Sequence, residues 1–394
     1  MARLPETSWT RREDFARLVE ALDPERDSLR VVGGAVRDTL LGVPVADIDM
    51  ATWHRPQDVI ARLDAAGIRS VPTGIAHGTV TAVLAQGHVE ITTLRRDVST
   101  DGRHATVAFS TDWREDAARR DFTINALYAD PRTLEVFDYF GGLDDLAARR
   151  VRFIGDARQR IREDYLRVLR YFRFQARFGS MPADAEAESA VSELAPGMKG
   201  LSRERVGWEL TNLLSLPDPA PTVARMADLG VLREVLPEAE KGGPAALAAL
   251  VAEERRQDVA PDPLRRFAAL LPAQPQVASD VAARLRLSIA QRKRLAAAAG
   301  RTGEPGEPRA LAYRLGREEA IDRLLLAGAP IAPLEGWDIP RLPLKGGEIV
   351  ARGVSAGPEV ARLLRAVEDK WVAEGFPGGA RVSELLDAEL ARSA

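Results

Sequence analysis

Two aspartates, Asp47 and Asp49, stand two positions apart in GGAVRDTLLGVPVADIDMAT, residues 33–52. In an extended strand such residues project to the same face. Carboxylates held side by side repel each other unless a cation lies between them, and hard oxygen donors select Mg²⁺ or Mn²⁺. The pair therefore reads as a metal site, and Glu90 in HVEITTL (88–94) supplies a third carboxylate if its strand joins the same sheet. Upstream, Gly33 and Gly34 close an apolar strand and open a helix. Glycines there let backbone N–H groups approach a phosphate, and the helix start adds favourable potential. An isolated D-x-D is a common surface pattern; the glycine turn and helix before it favour chemistry.

Two further motifs carry chemistry. In ARRDFTINAL (118–127) the pair Arg119–Arg120 suits a triphosphate, and Asp121 or Asn125, the latter expected inside a strand, suits a ribose hydroxyl. The bland alternative is a helix end capped by arginines. In REDYLRVLRYFRF (162–174), Asp164 and Arg167 are three apart, so a continuous helix puts them on one face. A carboxylate accepts hydrogen bonds and a guanidinium donates them. Cytosine and adenine each present an amino donor beside a ring-nitrogen acceptor; uracil and guanine present the reverse. An Asp–Arg pair thus matches C and A without a nucleic-acid template, whereas a plain surface ion pair would do little. Arg170, Arg173 and Arg177 follow at helical spacing and suit phosphates.

These residues need a scaffold. Up to about residue 148, strand-like runs (29–34, 46–52, 77–84, 88–94, 122–130, 134–140) alternate with helical stretches (35–42, 56–67), which indicates an α/β or α+β domain. Beyond it the pattern is helical at 162–179, 203–216, 222–238, 265–271, 280–300 and 356–376. Residues 149–177 hold ten arginines against three acids, a candidate polyanion surface. A second basic run, 281–301, reads as a solvated helix face. The 394 residues carry 55 Lys and Arg against 58 Asp and Glu, with 45% hydrophobic residues, as in a globular protein of several domains. The lack of cysteine excludes disulfides, iron–sulfur clusters and a thiol nucleophile. His54, His77, His88 and His104 are too scattered for a His-rich metal cluster. No run is long and apolar enough for a membrane span, and the first residues lack an apolar leader, so the expected location is cytoplasmic.

Taken together, the motifs resemble those of class II CCA-adding enzymes, tRNA nucleotidyltransferases of the bacterial CCA/poly(A) polymerase family. Residues 33–52 match the family's first motif, itself similar to that of polymerase-β-like nucleotidyltransferases. Residues 118–127 match its second, FDYFGGLDDLAARRVRFIGD (137–156) its hinge-like third, 162–174 its fourth, and LSRERVGWEL (201–210), with Arg205 and Glu209 on one helix face, its fifth. Residues 344–375 resemble the tail signature. Val43 stands where a basic residue is frequent.

The resemblance implies an α+β fold: a nucleotidyltransferase head (1–148) followed by an all-helical neck (149–212), body (213–275) and tail (276–394) in a seahorse shape. It implies template-independent addition of CCA to tRNA from CTP and ATP with two Mg²⁺ ions, no membrane and no obligatory protein partner. Asp47 and Asp49 would hold metal with Glu90 beside them. Gly34 and Arg37 would meet the triphosphate. Arg120, Asp121 and Asn125 would hold sugar and phosphates. Asp164 and Arg167 would read the base, supported by Glu163 and Arg170. The segment 72–83 and the long tail favour this activity over poly(A) synthesis, and an uninterrupted stretch 95–118 favours full CCA over CC-only or A-only addition. An RNA-binding protein on a decayed head fits the intact acids and arginines poorly. A small-molecule nucleotidyltransferase leaves the helical half unexplained.

Overall fold

The computed structural model describes residues 2–24, 27–100, 105–239, 242–301 and 306–393. Two compact units divide at Pro237 and Glu238. The first contains a seven-stranded mixed sheet: β1 (Leu29–Val32), β2 (Ile48–Thr52), β3 (Ser70–Gly74), β4 (Thr79–Leu84), β5 (Gly87–Thr93), β8 (Leu127–Ala129) and β9 (Val136–Asp138), in the order β3-β4-β5-β2-β1-β8-β9. Between β5 and β8, β6 (Arg95–Thr100) and β7 (Ala105–Phe109) form a separate hairpin. The uninterrupted stretch read at 95–118 includes residues 101–104, and hence His104, which lie outside the described residues.

Helices α1 (Glu13–Leu22), α2 (Gly34–Leu40), α3 (Pro56–Ala65), α4 (Trp113–Ala118) and α5 (Gly142–Ala147) accompany the sheet. The amphipathic α3 packs on β3, β4 and β5, burying Val59 and Leu63. The expected alternation of strands and helices is thus borne out. β3 (SVPTG) and β6 (RRDVST) escaped notice because they are mostly polar, and β7 (ATVAF) lacks an alternating apolar pattern.

The rest of the first unit is helical: α6 (Ala157–Glu163), α7 (Leu166–Phe178), α8 (Ala185–Leu194), α9 (Arg203–Leu214), α10 (Ala220–Asp228) and α11 (Leu232–Val235). The second unit holds α12 (Gly243–Arg256), α13 (Pro263–Leu270), α14 (Pro275–Arg284), α15 (Ile289–Ala299), α16 (Pro308–Leu315), α17 (Arg317–Leu326), α18 (Gly346–Ala351), α19 (Pro358–Ala373) and α20 (Gly379–Ser393). Three expected helices are each two. The run 222–238 breaks at Gly230, where φ is 72°. The run 280–300 breaks where Ser288 and Gln291 form a capping box at the start of α15. The run 162–179 breaks between Glu163 and Leu166, where Asp164 is extended (φ −154°) and turns its carboxylate onto the Leu166 N–H. The second basic run is largely engaged within its unit: Arg284 pairs with Glu238, and Arg294 with Asp322.

One apolar cluster fixes α7 against the sheet domain. Phe122 packs on Phe153 (centroids 4.9 Å) and on Phe174 (5.2 Å), and Phe153 stacks on Tyr171 at 5.9 Å. Phe122, Phe153 and Tyr171 are fully buried. The backbone follows: Ile154 donates to the carbonyl of Asp121 and Thr123 to that of Arg152. Gly142 lies so close to this seam that a β-carbon there would sit 2.3 Å from the Thr123 carbonyl oxygen. Phe153→Ala should destabilise the first unit by about 3–5 kcal/mol, through lost burial and the cavity left behind; urea unfolding followed by far-UV circular dichroism measures it.

Candidate functional site

The sheet register brings the first motif together. Val32 pairs with Asp49 across β1 and β2, and Asp49 pairs with Glu90 across the parallel strands β2 and β5. The turn at Gly33 therefore follows directly beside Asp49. Gly33 has φ 71°, a left-handed conformation that glycine adopts without strain. Its amide donates to Leu127 on β8. Asp47 precedes the strand by one residue, contrary to the expected start at 46. In β2 only Asp49 faces outward; its neighbours are buried.

The Asp49 carboxyl is raised above the usual carboxylate range, first by the protein around it and then by the negative charges of Glu90 and Asp47, with Arg120 opposing. Among the described residues no three acidic or imidazole groups are gathered closely enough to hold a metal ion together, so Glu90 does not join Asp47 and Asp49 in a three-carboxylate site. Mg²⁺ seldom uses one: it takes one or two carboxylates and completes its shell with water and phosphate oxygens. Asp47 and Asp49, which repel each other and are only partly offset by Arg120, fit that chemistry with the cavity alongside.

Asp49 opens onto a cavity of about 580 Å³ lined by Gly33, Gly34, Arg37, Arg95, Arg119, Arg120, Asp121, Asn125, Asp164, Arg167, Arg170, Arg173 and Phe174. Arg37, on α2, is buried; it donates to Asp38 (2.8 Å) and Asn125 (2.5 Å) and lies 4.1 Å over the Phe178 ring. Burial lowers its affinity for the proton against the pull of Asp38. Asn125 is not in a strand. It closes a 3-10 turn, Thr123–Asn125, and donates to the Asp121 carboxylate at 3.0 Å. That turn brings Asn125 within bonding distance of Asp121; in a strand the two would share a face but lie roughly 13 Å apart. Asp121 also accepts from Arg170 Nε at 2.7 Å. Burial works against its charge, but Arg170 and Asn125 outweigh it and hold the carboxyl at about 2.

The break between α6 and α7 changes the expected partnership of Asp164 and Arg167. They do not share a helix face or pair with each other. Asp164 accepts from Arg205 on α9 at 2.6 Å. Arg167 donates to Glu163 at 2.6 Å and to the carbonyls of Arg160 (2.8 Å) and Arg119 (3.4 Å). Arg170 binds Asp121 rather than the Asp164–Arg167 pair. On α9, Glu209 is buried and accepts from Arg173 Nε at 2.6 Å. Each side chain is thus separately anchored, with an acceptor and a donor facing the same cavity.

Of the residues singled out from sequence, Gly33, Gly34, Arg37, Asp49, Arg119, Arg120, Asp121, Asn125, Asp164, Arg167, Arg170 and Arg173 line this cavity; Asp47, Glu90 and Arg177 do not, though Glu90 pairs in register with Asp49. Arg95 and Phe174 were missed. Arg95 opens the unremarked hairpin, and its role shows only in three dimensions. Phe174 reads as a core position of α7, which in part it is.

The chain is similar to known proteins. Residues 29–152 match the family described as the poly A polymerase head domain, and residues 182–242 match the probable RNA and SrmB-binding site of polymerase A. The chain is 36% identical over 388 residues to the mouse (Mus musculus) mitochondrial CCA tRNA nucleotidyltransferase 1, spanning 92% of this chain and 87% of that protein. It is 37% identical over 390 residues to the human (Homo sapiens) counterpart, again spanning 92% and 87%. The crystal structure of the Bacillus stearothermophilus CCA-adding enzyme in complex with CTP superposes with a TM-score of 0.77 at 26% identity, over 97% of this chain and 98% of that one.

Because the folded-state pKa of Asp121 lies below its ordinary value of 3.8, its ion pair stabilises the protein above that pH and the contribution is lost as pH falls towards 2. Asp121→Asn should flatten the stability profile between about pH 4 and pH 2, read from urea midpoints at successive pH values.

Proposed function

The chain belongs to the class II CCA-adding enzymes, and from that membership we propose that the arginine-lined cavity binds CTP and ATP for transfer to the 3′ end of tRNA. The reaction is template-independent CCA addition. The 3′-hydroxyl attacks the α-phosphorus, the bond to the β-phosphate breaks, and pyrophosphate leaves.

The observation that carries the site assignment is convergence. Motifs around residues 34, 120 and 167 meet on one cavity whose seven arginines outnumber its three aspartates. That excess of positive charge suits a triphosphate, and its volume suits a nucleotide. Arg37, Arg119 and Arg120 are assigned to the phosphates. Asp121 and Asn125 are assigned to the ribose, with Asn125 fixed by Arg37 and by Asp121 itself. Asp47 and Asp49, beside Glu90, would hold Mg²⁺ at the triphosphate. A bound divalent ion would help ionise the attacking hydroxyl and offset charge on the departing pyrophosphate.

Base choice is assigned to Asp164 as acceptor and Arg167 as donor. Their anchors support the reading: Arg205 fixes the carboxylate, and Glu163 with two backbone carbonyls fixes the guanidinium. A base then meets groups whose orientation is already set. Among the described residues no helix is long and apolar enough to cross a membrane. We place the enzyme in the cytoplasm, although the mammalian relatives are named as mitochondrial; cell fractionation tests this.

The decisive assay supplies tRNAs ending before the first C, before the second C and before A, with CTP and ATP. Each should be completed to CCA; long A-tails without CMP would instead mark a poly(A) polymerase, and arrest at CC or at A a partial enzyme. In the same assay Asp49→Ala should abolish incorporation while tRNA retention on a filter changes little. Arg167→Ala should admit UTP or GTP, or lower CTP and ATP use by about tenfold or more, since a base-reading contact is worth roughly 1–3 kcal/mol. Unchanged exclusion of UTP and GTP at wild-type rates would reject the assignment.

A further inference from the structure

Asp116, on α4, lies outside the cavity and is 1% exposed. A buried carboxylate needs partners to remain ionised, and this one has them on every side. Its Oδ1 accepts from Arg119 Nε at 2.8 Å and from the backbone N–H of Arg95 at 3.3 Å. Its Oδ2 accepts from the Tyr128 hydroxyl at 2.6 Å and from Arg120 Nη2 at 3.2 Å. Arg119 Nη2 adds a second contact at 2.8 Å. A carboxylate offers about four lone-pair positions, so Asp116 has no capacity left for a metal or a substrate. Whatever it does, it does through its partners. Burial disfavours its charge, but Arg120 and Arg119 outweigh that and hold the carboxyl at about 2.

The partners share one property: Arg95, Arg119 and Arg120 all line the nucleotide cavity. They come from two separate stretches of chain, the first residue of the β6–β7 hairpin and the end of α4. Tyr128, on β8, ties the same carboxylate to the central sheet and also accepts from Arg120 Nε at 3.2 Å. The hairpin is joined at the same place: Leu94 donates to Thr52 at the end of β2, the strand that bears Asp49, and Ser110 donates to Leu94.

We propose that Asp116 is a positioning residue that aligns Arg119 and Arg120 on the triphosphate and fixes the base of the β6–β7 hairpin against the nucleotide cavity. This rests on the reading of the cavity as the CTP and ATP site. Arginine side chains are long and lose considerable rotamer freedom on binding a phosphate. Asp116 imposes that order beforehand, so nucleotide binding need not bear it. The carboxylate also neutralises part of the repulsion between two adjacent guanidinium groups. Its loss would weaken nucleotide affinity more than the chemical step.

The test compares Asp116→Asn with wild type by steady-state kinetics and by calorimetric titration with pyrophosphate. KM for CTP and ATP should rise by about tenfold with kcat changed much less, and pyrophosphate should bind weaker by a similar factor. Filter retention of tRNA should be unchanged. Tyr128→Phe, which removes a donor to Asp116 and an acceptor for Arg120 Nε but leaves both arginines bound to the Asp116 carboxylate, should lower the melting temperature while leaving nucleotide KM within about threefold. A D116N protein that melts earlier yet retains wild-type KM and pyrophosphate affinity would overturn the proposal, because burial alone would then explain Asp116. Should D116N not fold, Arg119→Lys provides the test. It retains the charge but loses the two-point contact, so wild-type nucleotide KM in R119K overturns the alignment. If the wild-type protein incorporates neither C nor A, the functional reading fails by itself. Pyrophosphate titration of the same variants still decides whether Asp116 aligns the arginines.

Discussion

Seven guanidinium groups around one cavity repel one another, and no packing of apolar side chains offsets that repulsion. The first unit meets it with carboxylates placed behind the arginines. Asp38 backs Arg37, Glu163 backs Arg167, Glu209 backs Arg173, and Asp121 backs Arg170 from within the wall. Each acid fixes the orientation of a long side chain and reduces the local charge. Positive charge nevertheless remains in excess at the surface that faces a ligand. Left unopposed, that repulsion would destabilise the first unit, and the backing acids reduce it.

Those acids come from elements that the aromatic seam holds in place. Phe122, Phe153, Tyr171 and Phe174 join the sheet domain to α7, while α9 packs on α7 and contributes Arg205 and Glu209. Asp164 lies where α6 ends, and its anchor comes from α9 rather than from its neighbours in sequence. The base reading proposed for Asp164 and Arg167 requires stiff side chains, because a carboxylate free to rotate would accept from many partners. Here stiffness comes from contacts across three helices. The opposite wall is built differently. There the sheet register alone sets Asp49 beside Glu90 and the Gly33 turn, with no polar network needed.

The motifs that identify the family stood plainly in the chain, because each is local. A glycine turn before a helix, two acids one residue apart, and arginines at helical spacing all follow from short-range geometry. Local reasoning failed where distant groups intervene. It put Asp164 and Arg167 on one helix face, since i and i+3 meet on an uninterrupted helix; Asp164 is instead extended, accepts from the Leu166 N–H, and marks a break in that helix. It put Asn125 in a strand, since FTINALYA has strand composition; the bond from Asn125 to Asp121 tightens the segment into a turn. Arg95 could not be identified at all, because nothing in RRDVST signals that its first residue opens onto a cavity.

The amino-acid sequence by itself determined the class of fold, the family and the stock of chemical groups: closely spaced acids, a run of arginines, and one acceptor and one donor in Asp164 and Arg167. Those follow from residue type and spacing over a few turns or strand residues. Tertiary structure alone decided which guanidinium answers to which carboxylate. Coulomb attraction and hydrogen bonding depend on separation in space, and the pairs that matter most, Arg170 with Asp121 and Arg205 with Asp164, lie more than forty residues apart in the chain.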